Sequence, residues 1–176
     1  MSGEPNVPGA DAAGAGTAIK VVGMPVRLEY TLTAGRLYSR YLRALEKKHI
    51  VGARCGKCRK VYVPPRGSCP TCGVPTTDEV EVKDVGTITT FCIVNIPFGN
   101  MPFDPPYVAA AILLEGADIP IFHLIRGVAP DGVRMGLRVR AVWVPDAELR
   151  PTVESIKWFE PSGDADAAYE TYKEHL

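Results

Sequence analysis

The chain has 176 residues, 46% of them hydrophobic, and its 20 basic and 20 acidic residues give a net charge of zero. This length suits one domain or two small ones, and the apolar content is enough to form a core. Proteins that bind nucleic acids or membrane surfaces through charge usually carry a basic excess, so the balanced charge argues against both functions. No apolar run approaches the roughly 18 residues of a membrane-spanning helix.

The first part of the chain is predicted to hold one helix. Residues 1–24 are rich in Ala, Gly and Pro, a composition typical of a disordered leader. Residues 25–49 are expected to form a short extended segment and then an amphipathic helix that begins at a Thr33 cap. The apolar face of this helix is formed by Leu37, Tyr38, Tyr41, Leu42 and Leu45.

Two roles are open for this helix, because its other face is basic. In the first, the apolar face packs on the helix's own domain and the basic face is solvated. In the second, the helix docks on a partner protein or helps to hold an anionic ligand, with Tyr41 as a candidate contact.

Residues 50–78 contain two Cys-x-x-Cys pairs that are separated by ten residues. Each short spacer lets the backbone curl so that both sulfurs face one centre, and four thiolates complete a tetrahedral zinc site. Such a site has no open position for water or substrate, so it is predicted to be structural. The module is too small to fold on its own core, and the metal is expected to supply much of its stability. The predicted ligands are Cys55, Cys58, Cys69 and Cys72.

The fifth cysteine, Cys92, lies in an apolar run that resembles a strand and is predicted to be a buried, inert thiol. Cysteines paired for metal binding fit a reducing cytoplasm better than a secreted disulfide framework. No signal peptide is recognised, and a cytoplasmic location is therefore expected.

Residues 79–160 change to a period of two, with β-branched runs that are typical of strands. About five strands without an intervening helix pattern predict a small antiparallel barrel of the OB type. In the tail, residues 161–176, a short helix is expected to carry Tyr169, Tyr172 and Leu176 on one side. The predicted fold is thus mainly β, with an N-terminal helix, a rubredoxin-like zinc ribbon and then the barrel.

Catalytic motifs are scarce. The three histidines, His49, His123 and His175, occur without a nucleophile motif and without the spacing of a catalytic metal site. A single histidine in a strand, such as His123, is more often a packed or surface residue than a base. We therefore do not expect the chain to be catalytic alone.

Several motifs follow the helix in a set order. They are Arg54-Cys55-x-x-Cys58, Tyr62-Val63-Pro64-Pro65-Arg66, Cys69-Pro70-x-Cys72-Gly73, Gly86-Thr87-Ile88 and Pro106-Tyr107-Val108-Ala109. Through these linked motifs, residues 33–160 resemble the zinc-ribbon plus OB-fold family first described as domain of unknown function 35 (DUF35). One departure is Arg59, where a glycine commonly follows the first cysteine pair, and this residue makes the turn less ideal.

The resemblance implies an accessory role. Members of the family assist thiolase-superfamily enzymes. An archaeal member bridges an acetoacetyl-CoA thiolase and an HMG-CoA synthase, and actinobacterial relatives pair with thiolase-like aldolases that shorten steroid side chains, sometimes together with hydratase-like domains. The partner enzyme would carry the catalytic residues, while this chain would help to form the acyl-CoA site.

Two groups of residues are candidates for contacting acyl-CoA or the partner. Basic residues near the zinc site are suited to the phosphates of CoA, and a loop rich in Pro and Gly carries large apolar side chains that are costly to leave in water. Alternatively, the arginines pair with acidic residues to brace the ribbon against the barrel, and the loop folds over an open barrel end. The candidates are Tyr41, Arg54, Lys57, Arg66, Phe98, Met101 and Phe103.

Two other functions stay open at this point. OB barrels often stack the bases of single-stranded nucleic acid on aromatic side chains, although the zero net charge argues against this function. A small enzyme would need a pocket that joins His123 to a nucleophile or carboxylate.

Overall fold

The structure is a computed structural model that describes residues 28–31, 33–97 and 103–176. It contains two compact units, residues 1–33 and residues 34–176. The described residues of the first unit are exposed and belong to no helix or strand. The predicted leader and part of the predicted extended segment lie outside the described residues.

The second unit contains one α-helix, eight strands and several short 3-10 turns among its described residues. The helix α1 is Gly35–Leu45, and the strands are β1 Ile50–Arg54, β2 Val61–Tyr62, β3 Asp78–Val82, β4 Val85–Val94, β5 Tyr107–Leu114, β6 Ile121–Ile125, β7 Arg138–Trp143 and β8 Ile156–Pro161. The 3-10 turns are Pro130–Gly132, Asp146–Glu148, Val153–Ser155, Tyr169–Thr171 and Lys173–His175. No helix in the described part of the chain is long and apolar enough to cross a membrane.

The helix α1 packs its apolar face on the core. Tyr41 and Leu45 are buried, and Tyr38 and Leu42 are partly buried against the same cluster. The prediction of a Thr33 cap is wrong, because Ala34 occupies the cap position and its side chain has no acceptor. The Ser39 hydroxyl donates to the Gly35 carbonyl over 2.6 Å, a bond within the helix that leaves its first N–H groups uncapped.

The ribbon is a three-stranded antiparallel sheet in the order β2-β1-β3. β3 begins at residue 78, where the ribbon is predicted to end, yet it belongs to the ribbon sheet and pairs with β1 along its whole length. Its acidic side chains are exposed. They pair with basic residues: Asp78 with Arg54, Glu79 with Arg40, and Glu81 with His49.

The barrel is closed, with strand order β4-β5-β6-β8-β7, which confirms the predicted five-stranded OB-type architecture. One pairing differs from the prediction, since β6 and β8 meet in parallel at Ile125 and Phe159. Phe159 is fully buried at the centre of the core. The same hydrophobic cluster includes Ile50 and Val61 from the ribbon, so the ribbon and the barrel share one core.

The turn between β5 and β6 joins the barrel to the ribbon. The Val61 N–H donates to a carboxylate oxygen of Asp118 over 2.8 Å, and the Asp118 N–H donates to the Val61 carbonyl over 3.0 Å. The next residue, Ile119, packs against the cysteine cluster of the ribbon. The sequence gives no sign that this turn contacts the zinc module.

The C-terminal tail forms two 3-10 turns and not the expected α-helix. Asp166 makes two contacts with the Arg134 guanidinium, at 2.6 and 2.7 Å, and the Ala167 N–H donates to the Gly136 carbonyl over 2.8 Å. Tyr172 is buried, while the other two residues of the predicted face, Tyr169 and Leu176, are exposed. These contacts hold the tail against the barrel without a continuous helical ladder.

His123 is a packed residue of the barrel. Its ring lies 5.4 Å from the Phe159 ring, centroid to centroid, in an edge-on arrangement. Its Nδ1 accepts from the Leu124 N–H over 2.9 Å, and the ring also hydrogen-bonds to the Ile156 backbone. Burial lowers the pKa of His123, because the charged imidazolium is poorly solvated inside the barrel.

We predict that Asp118→Ala destabilises the attachment of the ribbon to the barrel. The Val61 N–H would lose a charged acceptor, which costs about 1–3 kcal/mol of unfolding free energy. Urea unfolding with a measured zinc content would detect the loss. Asp118→Asn keeps an acceptor oxygen and should retain more of the stability, so equal losses in both variants would contradict this account.

We predict that the stability of the folded chain depends on pH through His123. Its pKa is lowered in the folded chain, so the unfolded chain binds the proton more readily. Stability should therefore fall as the pH drops below about 6.5, the ordinary histidine value. In His123→Gln, the difference in urea midpoint between about pH 7.5 and about pH 5.5 should be smaller than in the native chain. An unchanged difference would show that His123 does not titrate in unfolding. His175→Gln, in the C-terminal tail, is the control.

Candidate metal centre and its surroundings

Two backbone turns bring the four cysteines together. In the first, the Arg59 N–H donates to the Cys55 carbonyl over 3.0 Å, and in the second the Gly73 N–H donates to the Cys69 carbonyl over 2.9 Å. Arg59 and Gly73 are the corresponding residues of the two turns, with φ angles of +66° and +67°. Arg59 thus occupies a left-handed conformation that glycine adopts at lower cost, which agrees with the less ideal turn that the sequence predicts.

The ligand atoms converge on one point. The four cysteine sulfurs lie within 4.8 Å of one another, and those of Cys58 and Cys69 are 3.7 Å apart. A tetrahedron with metal–sulfur bonds of about 2.3 Å has sulfur–sulfur edges of about 3.8 Å, so the arrangement fits one zinc ion. Soft thiolates also select zinc over hard cations. These observations confirm the predicted structural zinc site.

Hydrogen bonds favour the thiolate form of two ligands. The N–H groups of Cys58 and Lys57 lie 3.5 and 3.4 Å from the Cys55 sulfur, and the Cys58 bond is the main cause that lowers the pKa of Cys55. The Tyr62 hydroxyl, 3.2 Å from the Cys69 sulfur, lowers the pKa of Cys69 to about 6. The same bond raises the pKa of Tyr62 to about 12.

Cys72, in the second ligand pair, needs a bound metal to become a thiolate. Burial raises the pKa of the Cys72 thiol to about 12, so its surroundings alone do not hold it as a thiolate. A bound zinc ion supplies the positive charge that deprotonates such a ligand. Because all four positions of the tetrahedron are thiolates, the zinc would stabilise the ribbon and would bind no substrate.

The predicted basic contacts lie around this centre. The Arg66 guanidinium lies over the Tyr62 ring, 5.7 Å from its centroid, and Lys57 is exposed in the first turn. Arg54 pairs with Asp78 at 3.4 Å. This pair lies within the ribbon sheet, whereas the sequence alternative places it between ribbon and barrel. The part of these residues in ligand binding stays a prediction.

The other predicted contact residues have different environments. Tyr41 is only 4% exposed, and its burial raises its pKa to about 12, so its side chain stabilises the core and is not open to a ligand. Phe98 and Met101 lie outside the described residues. Phe103 folds back on the barrel, where its ring contacts the Tyr107 ring edge-on at 4.8 Å between centroids.

Comparison with known families shows which family the chain belongs to. Residues 43–78 match the family "ChsH2, rubredoxin-like zinc ribbon domain", and residues 79–144 match the family "ChsH2, C-terminal OB-fold domain". A "DUF35 domain-containing scaffold protein" of Methanocaldococcus jannaschii is 30% identical over 118 residues, which cover 66% of this chain and 82% of that protein. The chain belongs to the DUF35 family.

Another relative matches this chain over only part of its own length. A "Probable enoyl-CoA hydratase alpha subunit" of Thermomonospora curvata is 30% identical over 110 residues, 62% of this chain. These residues span only 34% of that relative's length.

Two solved structures share the DUF35 fold. One belongs to an "Ltp2-ChsH2(DUF35) aldolase", with a TM-score of 0.56 and 26% identity over 73% of this chain and 96% of that chain. A DUF35 protein of unknown function from Sulfolobus solfataricus has a TM-score of 0.52 and 24% identity, over 61% of this chain and 78% of that one.

The DUF35 barrel also presents an outer apolar face that the sequence analysis missed. Phe122 is opposite Ala111, and Leu124 is opposite Ala109, which in turn is opposite Cys92. These residues lie on the side of the sheet opposite Val108, Ala110 and Ile112, which line the core, although Ala111 is also buried. Phe122 is 76% exposed. We call Cys92, Ala109, Ala111, Phe122 and Leu124 the outer apolar face; none of them is charged.

The prediction of a buried Cys92 is therefore wrong, because the residue is exposed on this face. The run around it is apolar on both sides of the strand, so the sequence does not show which side faces the core. In the sequence, the one sign of this face is Phe122, a large apolar residue whose side chain points outward from its strand.

A cleft of about 430 Å³ lies between the barrel and the C-terminal tail. Its charged lining residues, Glu115 and Arg138, contact each other. Arg138 also donates to the Thr87 hydroxyl over 2.9 Å, and Lys83 lies 2.7 Å from Glu115 and is the main cause that lowers its pKa. The two charged residues that line the cleft therefore neutralise each other.

Tyr62 predicts a measurable contribution to metal affinity. Removing its hydroxyl in Tyr62→Phe would take away a hydrogen bond to the Cys69 thiolate. Loss of a group that hydrogen-bonds to a metal ligand typically lowers metal affinity by about tenfold or more. Competition with a zinc chelator at neutral pH would measure the change. Tyr169→Phe, at an exposed position of the tail, is the matched control, and equal affinities in both variants would contradict the role of Tyr62.

Proposed function

We propose that this chain is a non-catalytic accessory subunit that binds a thiolase-superfamily enzyme and helps to form its acyl-CoA site. The partner would be a thiolase or a retro-aldolase. The proposal is carried by the similarity, at 26% identity and over 96% of that chain, to the DUF35 chain of an aldolase. The M. jannaschii relative, which is named a scaffold protein, supports the same kind of role.

The chemistry of the site supports a subunit that does not catalyse alone. The zinc would be held by four thiolates, so it offers no Lewis-acid position to a substrate. The ring of His123, the candidate base of a small enzyme, is partly buried and hydrogen-bonded to backbone groups. The reacting groups are therefore proposed to come from the partner enzyme.

Two surfaces are proposed for binding. The outer apolar face, with Phe122 at its most exposed point, would contact the partner enzyme, because its burial removes apolar area from water. The basic residues Arg54, Lys57 and Arg66 would bind the phosphates of CoA. The Arg54–Asp78 pair is partly exposed, so exchanging the carboxylate for a phosphate costs little.

The loop between β4 and β5 extends this proposal. Phe103 packs on Tyr107, and the Arg126 guanidinium lies 5.4 Å from the centroid of its ring. We propose that Phe103 contributes to the acyl-chain lining or the partner contact together with Phe98 and Met101.

A hydratase-like protein is a second proposed partner, since one relative is named as a hydratase subunit of which this chain matches about a third. The proposed acyl group is a steroid side chain, by analogy with the actinobacterial members of the family. The alternative, binding of single-stranded nucleic acid, has less support because the net charge is zero and the outer apolar face carries no cation.

Co-expression and co-purification with a thiolase-superfamily enzyme of the same organism test the proposal. The two proteins should elute together and the enzyme's acyl-CoA cleavage rate should rise. Phe122→Lys should weaken the complex at least about tenfold, since a charge would be buried in the contact, whereas Tyr169→Lys in the tail should not. If the proteins neither elute together nor change each other's activity, the proposed function fails.

A further inference from the structure

The second half of β4 has an open edge. β4 pairs with β7 only from Val85 to Thr87, and its last backbone contacts on that side are those of Ile88 with Leu137 and Gly136. From Thr90 to Val94 the described residues pair with β5 alone. On alternate residues of this stretch, the backbone N–H and C=O groups therefore point away from the sheet without a strand partner.

The open edge lacks the usual protection. Proteins commonly guard an edge with lysine, proline or a bulge. The bulge of β4 lies before the open stretch, between Ile88 and Thr90, and the next proline, Pro97, follows it. The seven residues between them, Thr90-Phe91-Cys92-Ile93-Val94-Asn95-Ile96, include no charged residue and no proline.

Apolar side chains along the edge are also left in water. Ile93 is 38% exposed, although its partner on β5, Val108, is buried in the core. Ile96 is 76% exposed, and Cys92 is exposed on the other side of the strand. Both the backbone and the side chains of this stretch are thus available to one more extended strand.

We propose that this strand is β4 of a second copy of the same chain, paired antiparallel about a two-fold axis. An open strand edge binds an extended backbone, and in two-fold pairing the segment meets itself. Like charges that face each other across such a pair are destabilising, and Thr90–Ile96 contains none. β-branched and aromatic residues, which stabilise cross-strand pairs, make up most of the segment.

Centring the pair on Ile93 brings the two Ile93 residues opposite each other and Cys92 opposite Val94 of the second copy. The strand supplies Thr90–Val94 to this edge, and five residues at about 3.4 Å each span about 17 Å. The outer apolar faces of the two copies would then lie on one continuous sheet. The contact is small for a specific interface, so the association is expected to be weak and to depend on protein concentration.

This inference does not rest on the proposed function. It concerns the edge of β4, whereas the partner enzyme is proposed to contact the outer apolar face. Self-association can therefore fail while binding of the enzyme holds, and the reverse can also occur.

Sedimentation of the zinc-loaded full chain over a wide concentration range tests the pairing. We expect a reversible monomer–dimer equilibrium. Hydrogen exchange should slow, as the protein is concentrated, at the alternate amides of Phe91–Val94 that point to the open edge, because these groups enter a new ladder. A chain that stays monomeric at all concentrations, or edge amides that become protected only when the partner enzyme is added, would overturn the proposal.

Charge variants at the centre of the pair sharpen the test. Ile93→Lys and Ile93→Glu should each raise the dimer dissociation constant at least tenfold, and an equimolar mixture of the two should associate again. Cys92→Lys, at an already exposed position, serves if an Ile93 variant loses its fold or its zinc. A dimer that survives these substitutions, or a mixture that does not associate, would disprove pairing at this edge.

Two further measurements separate the edge from the face. Phe122→Lys, on the outer apolar face, should dimerise like the native chain, and loss of the dimer in this variant would place the contact on the face. A short bis-maleimide should link the Cys92 thiols of two copies, with peptide mapping to identify the linked residues. Cys92→Ser is the control, and an equal yield of linked dimer in it would count against the proposed geometry.

Discussion

The zinc-binding cage of four thiolates is the constraint on which the ribbon depends. The ribbon has a two-residue strand, a small sheet and few core residues of its own, so the metal is expected to supply stability that burial alone cannot. Tyr62 links this cage to the protein, because its hydroxyl bonds to Cys69 while its ring lies under the Arg66 guanidinium. The neighbouring residue, Val61, is held by Asp118 from the barrel. Metal, ribbon and barrel are therefore connected through adjacent residues.

A closed metal site has a consequence for function in this DUF35 chain. Zinc that is bound by four protein ligands positions other groups and does not react with a substrate. His123 is likewise held in the barrel by backbone contacts and by Phe159. The features left for function are surfaces, namely the basic residues beside the zinc site and the outer apolar face. Both are of the kind that binds a ligand or a protein, which is why we propose an accessory role.

The outer apolar face and the open edge of β4 meet at Cys92, yet they differ in what they can bind. A face contributes apolar area and accepts a partner of many shapes. An edge contributes unpaired backbone groups and accepts an extended strand. The absence of charge between Thr90 and Ile96 is compatible with pairing between identical copies. One side of the barrel can thus hold a second copy and an enzyme through different groups.

Local spacing in the sequence determined the four zinc ligands, the helix, the strands and the barrel class, because these depend on periodicity and on turns of a few residues. The same pattern left the role of Tyr41 open, since an apolar helix face suits a core as well as a partner. Only the tertiary structure decided that Tyr41 is buried, that Cys92 faces outward, and that Tyr62 and Asp118 support the zinc ribbon. These features depend on strand register and on contacts between residues far apart in the chain, such as Val61 and Asp118. Where a run is apolar on both faces of a strand, the sequence does not show which face turns toward the core.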